Sequence, residues 1–548
     1  MSFLSKQKFE LCILGFLSLA YCLLGFNLGI NIFDEGMQVY GAVRILNGDI
    51  PFKDFFYLYP PGQIYLIAGL FKFFGNTLMT LRLWLIILSS LFSLLVYYIS
   101  LLFIRKRSAI IVWFLSLIWI SSYRPISPMV SLLPLVFISC LYMVYFFRKE
   151  NPRYLLLAGL FAGLCLLFKQ EHGVFIIIGE LFLFFLFSIE ESNKDLTGNI
   201  LNFLKLVKWY LTGLGIILVP AAIFILSVVP IRDLEYHFMT FPLTKYAQFY
   251  SLRYPAPFPN LAYLFSHILS LQDFIWQIIQ RIAYYFPMTV YLTAAFTIGF
   301  RMLKGILKNS PAVWGLRLFI ILGILFHIHG FIRGNLHMLR PTFFFAFIVF
   351  CYLTDNISVS RKTALITFIS ILFVFAMVFI PLVEKSQFLY ENLPSPFSFN
   401  LPRAKGIIWD ERGETYEKLV RYIQEKTAEE ERIFVGNIRH DLIFTNDVML
   451  YYLSERQSAT KYHELESAIM ANRAIQEAII SDIQKYRVRY VVLWKDDFPQ
   501  PRPGGLSGKS NGVFVLDNFI RKEFTPVTDY PSYTVLKRNS EGDKNEKF

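Results

Sequence analysis

Run after run of apolar residues, each close to the length that crosses a bilayer, constrains this chain more than any other feature. The runs fall near residues 11–30, 80–104, 109–123, 128–147, 154–169, 173–189, 209–229, 286–304, 314–330, 340–354 and 363–383. A helix of about 20 such residues spans the hydrocarbon core, and a helix keeps its backbone polar groups satisfied there. The expected fold is therefore a polytopic α-helical membrane protein of about 11–13 transmembrane helices. Several runs sit at the short end of that range, so the count carries a margin. The hydrophobic share of 55% fits this class and not a soluble one.

Charge supports the same reading. The net charge is +13, but residues 1–383 hold 29 Lys and Arg against 15 Asp and Glu, whereas residues 384–548 hold 24 against 25. The excess lies among the spans, where basic residues set topology, so nucleic acid is not an expected partner. Arg105-Lys106-Arg107, Arg148-Lys149 with Arg153, Lys205 with Lys208, Arg301 with Lys304 and Lys308, and Arg361-Lys362 all fall on alternate loops. That places the N-terminus in the cytoplasm. The first run follows Lys6 and Lys8 and reaches Ile30, too long for a cleaved leader. All five cysteines lie inside apolar runs, which gives neither a disulfide framework nor metal-type spacing.

On the opposite face fall residues 31–79, the turn Arg124–Pro128, Lys169-Gln170-Glu171-His172, the segment 232–281, Arg333 with His337, and everything after 384. The expected division is a membrane domain over 1–383, with a first outer loop at 31–79 and a long outer loop at 230–285. A Pro-rich linker (Pro394, Pro396, Pro402) covers 384–410, a soluble α/β domain 411–538, and a polar, disordered tail 539–548. In the first loop, Val39, Ala42, Val43 and Leu46 predict an amphipathic helix over Gly36–Gly48, and 62–74 a second interfacial helix. In the tail, helices are expected at 411–426, 474–486 and 511–521, and strands at 432–436, 488–494 and 532–536.

The doublet Asp34-Glu35 directly follows the first span, where a carboxylate needs a reason. Two readings stand side by side. A carboxylate at a membrane boundary can act as a general base, because partial desolvation raises its pKa. Alternatively, Asp34 caps the following helix and Glu35 favours its positive end.

The order Phe33-Asp34-Glu35-Gly36, Tyr40, Gly48, Pro51-Phe52-Lys53-Asp54-Phe55 and Pro60-Pro61 resembles the first outer loop of the GT-C glycosyltransferases. The likeness is to bacterial glycosyltransferase family 39, akin to dolichyl-phosphate-mannose–protein mannosyltransferases and the aminoarabinose transferase of lipid A. Phe168-Lys169-Gln170, Phe241-Pro242-Leu243, Pro257-Phe258-Pro259 and the tail stretches Tyr451-Tyr452-Leu453 and Thr460-Lys461-Tyr462-His463 resemble the same group. The resemblance implies an integral-membrane glycosyltransferase. It would move a sugar from a polyprenyl-phosphate donor to a lipid, glycan or protein acceptor on the periplasmic or lumenal face, with Asp34 as base and Glu35 as its companion. Many relatives carry Lys before Pro-Pro, where this chain has Tyr59. Donor-phosphate binding is then expected from Lys53, Lys169, Arg253, Arg333 or His337, with Tyr59 and Tyr246 lining the substrate cleft. No metal site is assigned and no cofactor is certain, although His237 with Asp233 and Glu235 is compatible with a divalent cation. The expected location is the inner (plasma) membrane, with the C-terminal domain periplasmic or extracellular. The alternative is a lipid or polysaccharide transporter or flippase; internal repeats, which that reading favours, are not evident in the sequence.

Overall fold

Every expected span coincides with a helix in the computed structural model: α1 Phe3–Leu23, α4 Leu78–Ser100, α5 Lys106–Ser122, α6 Pro128–Lys149, α7 Arg153–Phe168, α8 Gln170–Glu191, α9 Leu196–Val228, α11 Leu271–Leu303, α12 Pro311–Arg333, α13 Leu336–Asn356 and α14 Thr363–Asn392. Between them lie α2 Asp34–Leu46, α3 Gly62–Phe74, the short α10 Ile231–Glu235 and a π-helix, Tyr236–Tyr246. The structure describes residues 3–122, 128–191, 196–246, 254–258, 270–356, 363–393, 396–442, 445–465, 472–495 and 508–540. Arg253, Arg124–Ser127, Pro394 and most of the expected tail 539–548 lie outside them, as do the side chains of Tyr246 and Arg333. Among the described residues, eight helices are long and apolar enough to cross a membrane. α5 and α7, at 17 and 16 residues, fall short on length. The chain is a multi-pass membrane protein.

Two units make up the fold. The first comprises Met1–Phe26, Leu85–Ile223 and Arg253–Phe388. Small residues and polar links hold its helices together, as lipid supplies no hydrophobic drive between helices. A methyl group at Gly159 of α7 would stand 2.0 Å from the Tyr210 carbonyl of α9, and one at Gly213 would stand 1.9 Å from the Leu156 carbonyl. The two backbones cross at these glycines. Ser18 of α1 bonds Ser93 of α4 at 2.9 Å and accepts from the Trp113 indole of α5 at 3.0 Å.

The second unit comprises Asn27–Trp84, Phe224–Leu252 and Leu389–Phe548. The linear division at residue 383 did not anticipate this grouping: the first loop folds with the tail. The tail carries a two-stranded pair, β1 Phe397–Ser398 and β2 Ile408–Trp409, and a five-stranded sheet. The sheet strands are β3 Arg432–Asn437, β4 Gln457–Ser458, β5 Tyr490–Trp494, β6 Phe524–Tyr530 and β7 Tyr533–Arg538. Their order is β4-β3-β5-β7-β6, with β4, β3 and β5 parallel and β7 and β6 antiparallel. Helices α15 Arg412–Lys426, α16 Met449–Ser454, α17 Arg473–Lys485 and α18 Val515–Glu523 complete the unit. Ile475, Ile479 and Ile483 of α17 recur at helical spacing and meet Leu516, Ile520, Val491 and Leu536 in one apolar core. Phe56 from the loop and Phe241 from the π-helix enter that same core.

Candidate active site

Helix α2 starts at Asp34 because Asn31 receives its first amides: the Asn31 Oδ1 accepts from Phe33 N at 3.1 Å and from Asp34 N at 2.8 Å. Orphan N–H groups at a helix start need such a partner. Asp34 does not cap the helix; its Oδ2 accepts from Asn31 Nδ2 at 3.1 Å, and the residue stays exposed at the positive end of the helix dipole. Glu35 has the opposite environment. It is fully buried, and Arg82 of α4 grips it as a fork, Nε to Oε1 and Nη2 to Oε2, both at 2.7 Å. The same guanidinium donates to the Gly29 carbonyl at 2.7 Å. A bidentate pair of this kind fixes both groups. Of the two adjacent acids, Glu35 is buried in the guanidinium fork and Asp34 is exposed.

Residues Glu35 to Arg44 of α2 are all buried, so this helix is enclosed by protein all round; the expected picture of a helix lying on a membrane surface with one free apolar face does not hold. Gly36 is the closest approach. A methyl there would stand 2.4 Å from the Met449 amide nitrogen, which donates instead to Ile32 O at 2.8 Å. Further along α2, Tyr40 stacks on Tyr451 with centroids 5.1 Å apart, and its hydroxyl accepts from Ser458 N at 2.6 Å. Arg44 pairs with Asp49 at 2.7 Å, reaches His463 Nδ1 at 3.3 Å and donates to the Asp54 carbonyl at 3.1 Å. Because Arg44 donates to Nδ1, the His463 proton sits on Nε2. Burial and the Arg44 charge hold this imidazole well below the usual histidine pKa.

Lys53 is exposed on a turn that Phe52 makes with φ of 71°. Phe52 is buried against His237 and Phe238, at centroid distances of 4.9 and 5.1 Å. His237 donates Nδ1–H to the Asp233 carbonyl at 2.7 Å, and Glu235 accepts from the Thr240 hydroxyl. Among the described residues no group of three His, Cys, Asp or Glu is placed to hold a metal ion. Tyr59 is half-buried beside Tyr57. The first unit holds Lys169 and His337. Lys169 is buried where α7 ends and α8 begins, with an extended backbone (φ −156°, ψ 106°), and pairs with Glu171 at 3.2 Å. His337 is exposed near the start of α13.

The structure thus groups Asp34, Glu35, Lys53 and Tyr59 in one unit. Among the buried charged residues that the sequence reading passed over, Arg82, Arg340 and Glu180 lie in the apolar helices. Each interrupts an apolar run, which is itself a signal that a partner or a role exists. Arg340 pairs with Glu384 at 2.5 Å in the first unit.

Residues 59–226 match the dolichyl-phosphate-mannose-protein mannosyltransferase family. No curated protein matches the chain by sequence. Solved structures do match. ArnT from Cupriavidus metallidurans, bound to undecaprenyl phosphate, aligns over 98% of this chain and 99% of its own, at 11% identity and a TM-score of 0.57. The oligosaccharyltransferase AglB from Archaeoglobus fulgidus, in complex with an inhibitory peptide and a dolichol-phosphate, aligns over 89% of this chain and 70% of its own, at 12% identity and a TM-score of 0.50. At such identities the shared property is the fold. The chain is therefore a multi-pass membrane protein with the fold of the GT-C glycosyltransferases, and its residues 59–226 carry the likeness to the mannosyltransferase family.

Proposed function

We propose that this protein is a glycosyltransferase that moves a sugar from a polyprenyl-phosphate donor to an acceptor on the non-cytoplasmic side of the membrane, with Asp34 as the general base. The observation that carries this reading is the split of the Asp34-Glu35 doublet: Arg82 immobilises Glu35, while Asp34 stands exposed at a helix start that Glu35 anchors. A base must be within hydrogen-bond reach of the acceptor hydroxyl; an exposed carboxylate on a rigid helix meets that need, and a forked one does not. Glu35 then acts through position, keeping the first turn of α2 in place. The family match and the lipid phosphates bound to the two fold neighbours support a polyprenyl-phosphate donor.

Lys53, exposed in the same unit, is the first choice for contact with the donor phosphate, and Lys169, Arg253, Arg333 and His337 are the others. Tyr59 and Tyr246 are the residues proposed to line the substrate cleft. The acceptor is a lipid, glycan or protein. The test uses purified protein, radiolabelled polyprenyl-phosphate sugars and a membrane extract as acceptor. Wild type is expected to transfer label, and Asp34→Asn to lose roughly 10²–10⁴-fold in rate with donor binding retained. Equal rates in the two proteins would remove Asp34 from the chemistry.

A further inference from the structure

Glu180 is fully buried in α8, inside the apolar helix Gln170–Glu190. The Ser139 hydroxyl of α6 lies 2.8 Å from Glu180 Oε1 and 3.0 Å from the Ala158 carbonyl of α7. A hydroxyl has one proton to donate. The Ala158 oxygen can only accept, and an ionised carboxylate can only accept. With Glu180 ionised, one of these two contacts would press lone pairs together with no proton between them. Both contacts are satisfied when the carboxyl carries the proton, donates it to Ser139, and lets Ser139 donate to Ala158.

The surroundings agree. The ion pairs of α8 involve Glu171 and Glu190, and among the described residues Glu180 has none. The titratable groups facing it are Cys140 of α6, Cys165 of α7 and Tyr210 of α9, none of them a cation. A charged carboxylate in that setting would be buried with no counter-charge.

We propose that Glu180 is a neutral carboxylic acid in the native protein, and that its two-bond relay through Ser139 to Ala158 pins α6, α7 and α8 to one another. The relay lies along the same helices that break at Lys169, so it fixes α7 and α8 from within while their junction departs from helical geometry. Interhelical hydrogen bonds by polar side chains are the available glue where lipid surrounds the bundle. This inference does not depend on the proposed reaction.

The test is isotope-edited infrared spectroscopy on the full chain in lipid nanodiscs at about pH 6.5, where ordinary glutamates are ionised, with ¹³C-labelled glutamate so that aspartates do not contribute. Wild type minus Glu180→Gln is expected to show the carbonyl band of a neutral, hydrogen-bonded carboxylic acid. Ser139→Ala, which removes the acceptor, should move that band to higher frequency. Glu180→Gln, which keeps a donor, should melt within about 2 °C of wild type, and Glu180→Ala clearly lower. A difference spectrum showing only ionised carboxylate would overturn the proposal. So would a band that Ser139→Ala leaves unmoved, which keeps the idea testable even where a Glu180 variant folds poorly.

Discussion

Glu35 and Glu180 are both glutamates with no exposed surface, and the two units of the protein accommodate them differently. In the second unit Glu35 meets a guanidinium fork at 2.7 Å on each oxygen. In the first unit Glu180 meets a serine hydroxyl. Burying a charge demands either a partner that restores what water supplied or the removal of the charge itself. An ion pair is rigid and directional, and it fixes the first turn of α2. A neutral acid is compatible with surroundings that offer hydroxyls and thiols but no cation.

The most severe way to break the contrast is Arg82→Ala. It leaves Glu35 buried without a cation and should destabilise the second unit by about 3–5 kcal/mol, read from denaturant unfolding in detergent. Replacing Arg82 and Glu35 together with Met and Leu should recover most of that loss, because an apolar pair leaves no stranded charge. Recovery of nothing would mean that the fork sets the fold of the loop and does more than neutralise it. Gly36→Ala comes next. Its methyl meets the Met449 backbone, which cannot rotate away, so a cost of about 1–3 kcal/mol is expected in the same measurement.

Ser139→Ala sharpens the other half of the comparison. It removes one hydrogen bond to a neutral partner and should cost about 1 kcal/mol, well below the Arg82→Ala figure. A cost as large as that of Arg82→Ala would point to a charged Glu180.

Acid titration probes the second unit further, because its imidazoles His463 and His237 are held low by burial. His463 and His237 have folded pKa values below the unfolded value of about 6.5. The unfolded chain therefore binds more protons below that pH, and stability is lost as pH falls through it. Asp447 works in the opposite sense. Burial raises its carboxyl to about 6, against hydrogen bonds from Tyr416 and Tyr533. The folded state binds the extra proton between about pH 4 and 6, so stability contributed there is lost as pH rises through that window. His463→Gln should flatten the loss below pH 6.5, by about 1.4 kcal/mol per pH unit at most. Asp447→Asn should steepen the loss between pH 6 and 4. The smallest effect is expected at Asp34: Asp34→Asn should change stability by no more than about 0.5 kcal/mol while abolishing transfer, which separates it from its neighbour Glu35.

Much of the architecture could be read along the chain. Apolar run length located the spans, and helical spacing located α17 around Ile475, Ile479 and Ile483. β5 at Tyr490–Trp494 stood out as a short apolar run bounded by polar residues. β6 did not, because Phe524–Tyr530 is half exposed, contains Pro526 and lies on the sheet edge. The doublet Asp34-Glu35 was conspicuous in sequence, but nothing local distinguished its two members. That distinction came from Arg82, 47 positions away in the start of a membrane helix. Arg44 was likewise an ordinary residue until His463, more than 400 positions on, gave it a partner.

The sequence by itself located the helices that are greasy enough for a membrane and the amphipathic helices of the tail such as α17, since backbone satisfaction and hydrophobic periodicity are local properties. Only the tertiary structure decided that residues 27–84 fold with the tail, that Glu35 is spoken for while Asp34 is exposed, and that Glu180 has a hydroxyl for a partner. The physical reason is that the state of a buried ionisable group is set by what stands within about 3 Å of it, and those neighbours come from distant parts of the chain.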